Sequence, residues 1–259
     1  MEITADTELA RSGRVGQTLD IIMPVYHEGE PVSRVLDSLI AAVQTPFRLV
    51  VCYDMDDDPT LTTIKRYEGR ADLNLLYVKN QGRGVLDALR SGIRASNANA
   101  VMIYVADDIS NAHLVDRMFK EYARGAELVV GSRFIPGGCM RGCPPLKSFL
   151  VRSGASTLYY LAGLPIKDPT NGVRIYDRRI FEELEIESSD GWAFNLELLI
   201  KCHALGYKIA EVPYQHFERV TGESKFRVFK WLPQYLRWYF LAFLLRLPMA
   251  KQRFLKVKS

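Results

Sequence analysis

The stretch Val101-Met102-Ile103-Tyr104-Val105 constrains this chain more than any other. It is five apolar β-formers in succession, closed by Ala106, Asp107 and Asp108. Alternating polarity would mark a strand with one wet face, whereas an unbroken apolar run marks one covered on both. Such strands lie in the middle of parallel sheets, and ligands of open α/β sheets collect at the carboxyl ends of the strands. Two carboxylates placed there read either as a solvated turn with a helix N-cap or as part of a site.

The flanking sequence supplies the rest of a sheet. Apolar runs at Leu19–Met23, Phe47–Tyr53, Leu73–Val78, Ala100–Val105 and Glu127–Gly131 alternate with helical spacing at Val32–Val43, Leu61–Tyr67, Gly84–Ala95 and Ala112–Tyr122. This βαβ series predicts an α/β fold, a mostly parallel sheet flanked by helices on both faces. After a Gly/Pro/Cys-rich loop (Pro136–Pro145), a helix is predicted from Lys147 to about Ala162, then a loop entering a strand over Asp168–Tyr176. An amphipathic helix (Phe194–Leu205), a strand (Tyr207–Val212) and a long aromatic-basic amphipathic helix (Val228–Leu247) complete the pattern. Residues 1–18 read as a flexible lead, 19–226 as the main domain and 227–259 as a basic helix and tail.

Charge is unevenly spread. Ser224–Ser259 holds nine Lys or Arg and no Asp or Glu, which leaves the preceding chain at a net of about −5. A basic tail on an acidic body points to a polyanion: anionic lipid, a phosphate-bearing substrate or nucleic acid. No nucleic-acid motif accompanies it, so that last partner is not expected. Trp238–Leu245 is eight apolar residues, too short to cross a bilayer, which takes about 20. With Trp231, Tyr235 and flanking cations it reads as an interfacial helix giving peripheral membrane contact; packing on the sheet and a homo-oligomer contact are the alternatives. The polar N-terminus lacks an apolar secretory core, so the expected location is cytoplasmic, at the inner face of the membrane. Cys52 and Cys202 read as buried thiols. Cys139 and Cys143 share a loop without further zinc ligands nearby, and read as a reduced pair.

Several loops should converge on the carboxyl edge. Pro24-Val25-Tyr26-His27-Glu28 follows the first strand, where Tyr26 can stack on a base and Glu28 can accept from base or ribose. The acidic loop Asp54–Asp58 follows the second, with Asp58 before Pro59 as a helix N-cap. Asn80-Gln81-Gly82-Arg83-Gly84 follows the third and can bring backbone N–H groups and a cation to phosphate.

The order of these loops resembles that of the family 2 glycosyltransferases, most closely the branch of polyprenol-phosphate sugar synthases. Pro24 to Glu28 is similar to the family's Pro-x-Tyr-Asn-Glu. Asp54 stands at its base-contacting acid, and Asn80–Gly84 at Asn-x-Gly-Lys-Gly. Gly131-Ser132-Arg133 matches Gly-Ser-Arg, and Asp168-Pro169-Thr170-Asn171-Gly172-Val173-Arg174 resembles Asp-x-Thr-Ser/Asn-Gly-Phe-Arg. Gly222-Glu223-Ser224-Lys225 matches the synthases' Gly-Glu-Ser-Lys. The resemblance implies a GT-A (Rossmann-like) fold and an inverting, Mn²⁺- or Mg²⁺-dependent transfer. The donor would be a nucleotide-diphosphate sugar (GDP-mannose or a UDP-sugar) and the acceptor a polyprenyl phosphate. It places Pro24, Tyr26, Glu28, Asp54, Gly82 and Arg83 at the nucleotide, where Asp107 joins them only if its loop is rotated, Asp108 and Ser110 at the metal, and Arg133, Arg174 and Lys225 at the phosphates. One departure is plain: the metal motif Asp-x-Asp begins here with Ala106. That keeps open a non-catalytic nucleotide-sugar binder, beside a transferase with a soluble or glycan acceptor.

Overall fold

The computed structural model describes residues 16–189, 191–217 and 228–247. Seven strands form one sheet: β1 (Leu19–Val25), β2 (Phe47–Tyr53), β3 (Asn74–Lys79), β4 (Ala100–Ile103), β5 (Leu128–Ser132), β7 (Arg174–Asp177) and β8 (Ile209–Pro213), in the order β3-β2-β1-β4-β7-β5-β8. All run parallel except β7, which is antiparallel to both β4 and β5. A small parallel ribbon of β6 (Cys139–Arg141) and β9 (Gln215–Phe217) stands apart.

The buried runs read from the sequence are the central strands. Every residue of β4 and β5 is buried, and β1 is buried except at Pro24. One face carries α1 (Val32–Ala42), α2 (Pro59–Lys65) and α4 (Leu114–Ala123), which present Leu36, Ile64 and Met118 to the core. The other carries α3 (Gly84–Ala95), α5 (Pro145–Tyr160), the short α6 (Arg179–Glu183), α7 (Phe194–Leu205) and α8 (Val228–Leu244). The helices on both faces explain why these strands lack period-two alternation.

Two sequence expectations need correcting here. The helix α7 has the expected bounds but is not amphipathic: ten of its twelve residues are buried, Glu197 and Lys201 among them. Those two pair with each other at 2.5 Å, one turn apart. Glu197 also accepts from the backbone N–H of Glu187 and Ser188, and Lys201 donates to the Glu185 carbonyl. Buried charges persist only when satisfied in this way. Trp238 of α8, expected at a membrane interface, is instead buried. Its Nε1–H donates to Ser188 Oγ at 3.0 Å, and the Lys201 ammonium lies 5.0 Å from its ring. So α8 is fastened to α7 along one side. Among the described residues no helix is long and apolar enough to cross a membrane.

Topology fixes where chemistry can occur. The loops after β1, β2, β3, β4, β5 and β8 all leave the same sheet edge. Because β7 runs backwards, the loop before it, residues 168–173, arrives at that edge as well. β4 stops pairing with β1 at Ile22–Ile103. Beyond that point β1 continues through Pro24, which has no N–H to offer a ladder. The chain after Ile103 is thus released to form the Tyr104–Asn111 loop over the edge.

Candidate active site

At the first loop, His27 adopts φ +51°, a left-handed conformation uncommon outside glycine. It is held there from α2. Asp58 caps α2 by accepting from Thr60 N and, with its other oxygen, accepts from His27 N at 2.8 Å. Thr60 Oγ1 accepts from the N–H groups of Glu28 and Gly29. The N-cap role of Asp58 was legible in the sequence; its grip on His27 was not. The clamp leaves Tyr26 49% exposed at the rim, edge-on to the His27 ring, a position from which it can stack on a base.

Asp54, at the end of β2, faces the loop after β3. It accepts from Asn80 Nδ2 at 2.7 Å and Gly84 N at 3.3 Å. A carboxylate has about four acceptor sites, so further bonds remain open to it. The same loop corrects an expectation. The N–H groups of Gln81, Gly82, Arg83 and Gly84 donate to Ser91 Oγ, Asn80 Oδ1, Asp87 Oδ2 and Asp54 Oδ2 respectively. They are spent on holding the turn and make no phosphate cradle. What the loop presents outward is Arg83, which is exposed.

After β4 the two aspartates part company. Asp107 is exposed; burial first, and then the charge of Asp108, raise the hydroxyls of Tyr104 and Tyr214 above the usual phenol range, with Asp107 adding the last and smallest part. Asp108 is only 7% exposed. Its Oδ1 accepts from Ser110 N, Asn111 N and Asn111 Nδ2, and its Oδ2 from Tyr214 Oη at 2.8 Å and Asn111 Nδ2. Burial raises its carboxyl above the usual range, and the bonds from Asn111, Tyr214 and Ser110 only partly offset that. Asn111 in turn donates to the Gln215 carbonyl. Asp108 therefore ties the loop to the start of β9. The metal pairing with Ser110 expected from the sequence would require a cation to displace bonds that occupy the Asp108 oxygens. The carboxylate presented to solvent is Asp107. Tyr214, which sequence reasoning passed over, is the hub between this loop and β8.

Arg133 follows β5 and is only 13% exposed in its side chain. Its Nε and Nη2 fork onto the two oxygens of Asp168 at 2.7 Å each, Nη2 also meets Thr170 Oγ1, and its backbone N donates to Asp168. Burial opposes ionisation of Asp168, but the charge and hydrogen bonds of Arg133 outweigh it and hold the carboxyl below the usual range. The remaining corner, Nη1, is directed at Met140 Sδ, 3.9 Å away, a weak acceptor. Gly138 has to be glycine for this turn: a Cβ there would lie 2.3 Å from the Ser132 carbonyl oxygen.

Arg174 is a correction. Its guanidinium is fully buried, and Nε, Nη1 and Nη2 donate to the carbonyls of Asn171, Asn195 and Pro169 at 2.6–2.8 Å. It shapes the 168–173 loop against α7 and lies wholly inside the fold. Lys225, with the rest of Gly222–Lys225, lies outside the described residues. None of the four cysteines is in a disulfide. No three His, Cys, Asp or Glu side chains among the described residues converge as a metal site.

A seven-stranded sheet with carboxylates and a fixed guanidinium along one edge defines an α/β protein of GT-A type, and solved structures agree. Glucosyl-3-phosphoglycerate synthase from Mycobacterium tuberculosis, solved with Mn²⁺, UDP and phosphoglyceric acid, superposes with TM-score 0.63 at 19% identity over 95% of this chain and 83% of its own. The same enzyme with Mg²⁺ and UDP gives 0.64 at 18% identity over 95% and 84%. The family model "Glycosyl transferase family 2" matches residues 20–185, and the chain belongs to that family. It is a glycosyltransferase. Polyprenol monophosphomannose synthase of Mycolicibacterium smegmatis is 27% identical over 220 residues, covering 79% of each chain. Undecaprenyl-phosphate mannosyltransferase of Micrococcus luteus is 28% identical over 208 residues, 79% of this chain and 85% of its own.

Proposed function

We propose that this glycosyltransferase moves a sugar from a nucleotide-diphosphate sugar to a polyprenyl phosphate, with inversion at the anomeric carbon. The observation that carries the proposal is the Arg133 guanidinium, forked onto buried Asp168 in the loop after β5, at the same sheet edge as the exposed Asp107 of the loop after β4. Two substrates bearing phosphate need a fixed cation, and Arg133 supplies one whose orientation Asp168 sets. Its Nη1 edge is the part left for a phosphate oxygen. Arg83 brings a second cation from the opposite side, and Tyr26 a stacking surface. The relatives named above add the lipid phosphate as acceptor.

The acceptor's phosphate oxygen bonds to the anomeric carbon as the bond from that carbon to the donor diphosphate breaks. The diphosphate leaves with the bonding electrons. A phosphate monoester is already ionised near neutral pH, so no side chain has to remove a proton. What this chain contributes is alignment and charge. The donor set suits a hard divalent cation on one condition, that Asp107 rather than Asp108 is the protein ligand and donor phosphates supply the rest. Mn²⁺ or Mg²⁺ held so would offset charge on the leaving diphosphate.

The test pairs the two aspartates. Thermal unfolding with GDP, UDP, CDP or dTDP, with and without Mn²⁺, identifies the base; a nucleotide at 100 times its Kd stabilises by about 2.7 kcal/mol. Transfer from the matching sugar nucleotide to a short polyprenyl phosphate is then assayed, with phosphoglycerate as a soluble control. Asp107→Asn is expected to keep the melting temperature and lose transfer by about 100-fold or more. Asp108→Ala strips a buried acceptor from Asn111 and Tyr214, and is expected to cost about 1–3 kcal/mol per orphaned group. Full transfer by Asp107→Asn would remove its role. Nucleotide binding without transfer to any acceptor would leave a binding protein instead.

A further inference from the structure

Arg83, the cation that the loop after β3 turns outward, is held in place by another residue. Its backbone N–H donates to Asp87 Oδ2 at 3.1 Å, in the first turn of α3. The other oxygen of Asp87 accepts from Arg90 Nη1, also at 3.1 Å. The carboxylate lies hard against the turn, since a Cβ at Gly82 would come within 2.3 Å of Asp87 Oδ2. In the sequence, an acid three residues before a base on a helix reads as an ordinary surface ion pair, and most such pairs contribute little.

The far side of the Arg90 guanidinium sets this pair apart. Its Nη2 donates to the carbonyls of Ile186 at 2.8 Å and Ser188 at 3.0 Å. Residues 186–189 are in turn anchored by two helices. Glu197 of α7 accepts from the N–H groups of Glu187 and Ser188. From α8, Trp238 Nε1–H donates to Ser188 Oγ, and the Gln234 amide exchanges two bonds with Ser189. Support therefore runs from α7 and α8, through two carbonyls, to Arg90, then to Asp87 and the backbone of Arg83. The turn is fixed at its other side by Asp54, which accepts from Asn80 and Gly84. Asp87 thus sets how far the Arg83 side chain stands from the Asp54 carboxylate. A nucleoside diphosphate has to span that interval, with its base at one end and its phosphates at the other.

We propose that Arg90, acting through Asp87, is a positioning residue for the donor: it fixes the turn that presents Arg83 to the diphosphate. This rests on the nucleotide-sugar reading above and deepens it by naming what aligns the donor loop. Arg133 and Asp168, which serve the acceptor phosphate, belong to loops after β5 and before β7 and share no bond with this chain of contacts. Disturbing Arg90 is therefore a donor-side perturbation.

The experiment compares Arg90→Met, Arg90→Lys, Asp87→Ala and the double variant Arg90→Met/Asp87→Ala in the full chain. Each is measured for Tm, for the Kd of whichever of GDP, UDP, CDP or dTDP stabilises the wild type most, and for donor KM, acceptor KM and kcat. Arg90→Met and Asp87→Ala are each expected to raise donor KM and diphosphate Kd about tenfold, the scale of a hydrogen bond to a charged group. Acceptor KM should stay within about twofold of wild type, as for an independent site. The double variant should be no worse than the weaker single, because both cut the same chain of contacts. Arg90→Lys keeps the charge but lacks the fork that reaches three acceptors, so it should fall between wild type and Arg90→Met. Donor KM unmoved in Arg90→Met while Tm falls would make the pair a fastening of α3 only, and would overturn the proposal. An equal rise in donor and acceptor KM, or a double variant at the product of the two single losses, would do the same. Wild type that binds none of the four diphosphates would remove the donor reading itself; diphosphate bound equally by wild type and variants removes only the positioning role.

Discussion

Replacing Asp168 by alanine tests the core of the site. Asp168 is fully buried, and Arg133 spends its backbone N, Nε and Nη2 on it. The substitution strands a mostly buried guanidinium with one remaining strong acceptor, Thr170. Breaking a buried pair from one side costs about 3–5 kcal/mol, because the surviving charge is left uncompensated. For a domain this size each kcal/mol moves Tm by about 2–4 °C, so the melt should fall by roughly 6–20 °C, measured by circular dichroism and confirmed by the urea midpoint. Arg133→Met on top of Asp168→Ala removes the stranded charge. The double variant should therefore be more stable than Asp168→Ala alone, though still inactive. Acid gives an independent check. The folded carboxyl titrates below its unfolded value, so the stability it contributes is full above about pH 4 and drains as pH falls through the folded value. Asp168→Asn should flatten that part of the acid-unfolding curve. A variant Asp168→Ala melting within about 2 °C of wild type, or a double variant at the sum of the two single losses, would refute the pairing argument.

Two further outcomes follow from packing. Gly92 lets α3 approach the sheet, since a Cβ there would meet Cys52 Sγ at 2.5 Å and Ile22 Cγ2 at 2.7 Å; Gly92→Ala should lower stability by about 1–3 kcal/mol despite better helix propensity, read from the urea midpoint. Burial pushes the thiols of Cys52 and Cys202 up to about 12. A thiol reagent at pH 8 should therefore titrate Cys139 and Cys143 in the native protein and reach the other two only on unfolding.

Much of the architecture was legible because hydrophobic burial writes itself into the sequence. The apolar runs at Ile21, Val50, Met102 and Val129 are four of the five inner strands of the sheet, and Gly84–Ala95 is a helix with the expected bounds. The site was legible as a set of loops and less so as roles. A sequence does not say where an arginine's donors go: Arg133 and Arg174 sit in equally suggestive motifs, yet one borders the edge and the other is used up on three backbone carbonyls. Nor does it separate adjacent aspartates. Which of Asp107 and Asp108 faces solvent depends on the tight turn after Val105 and on Tyr214, 106 residues from Asp108. Glu197 and Lys201 look like the polar face of a surface helix, because a four-residue spacing serves an exposed pair and a buried one equally well.

The reversed strand β7 also sets an order of events during synthesis. β5 has no partner upstream of itself: it pairs only with β7 and β8. As the chain leaves the ribosome, β1 to β4 can assemble among themselves once Ile103 is out. β5 then waits with both edges bare until Arg174–Asp177 threads in beside β4, and one of its edges stays open until Pro213 has been made. Contacts this distant in sequence form slowly, and unpaired strand edges invite wrong partners. The interval between Ser132 and Pro213 is thus when a nascent chain is most exposed to misassembly. It is also when Arg133 has been made but Asp168 has not yet arrived to orient it.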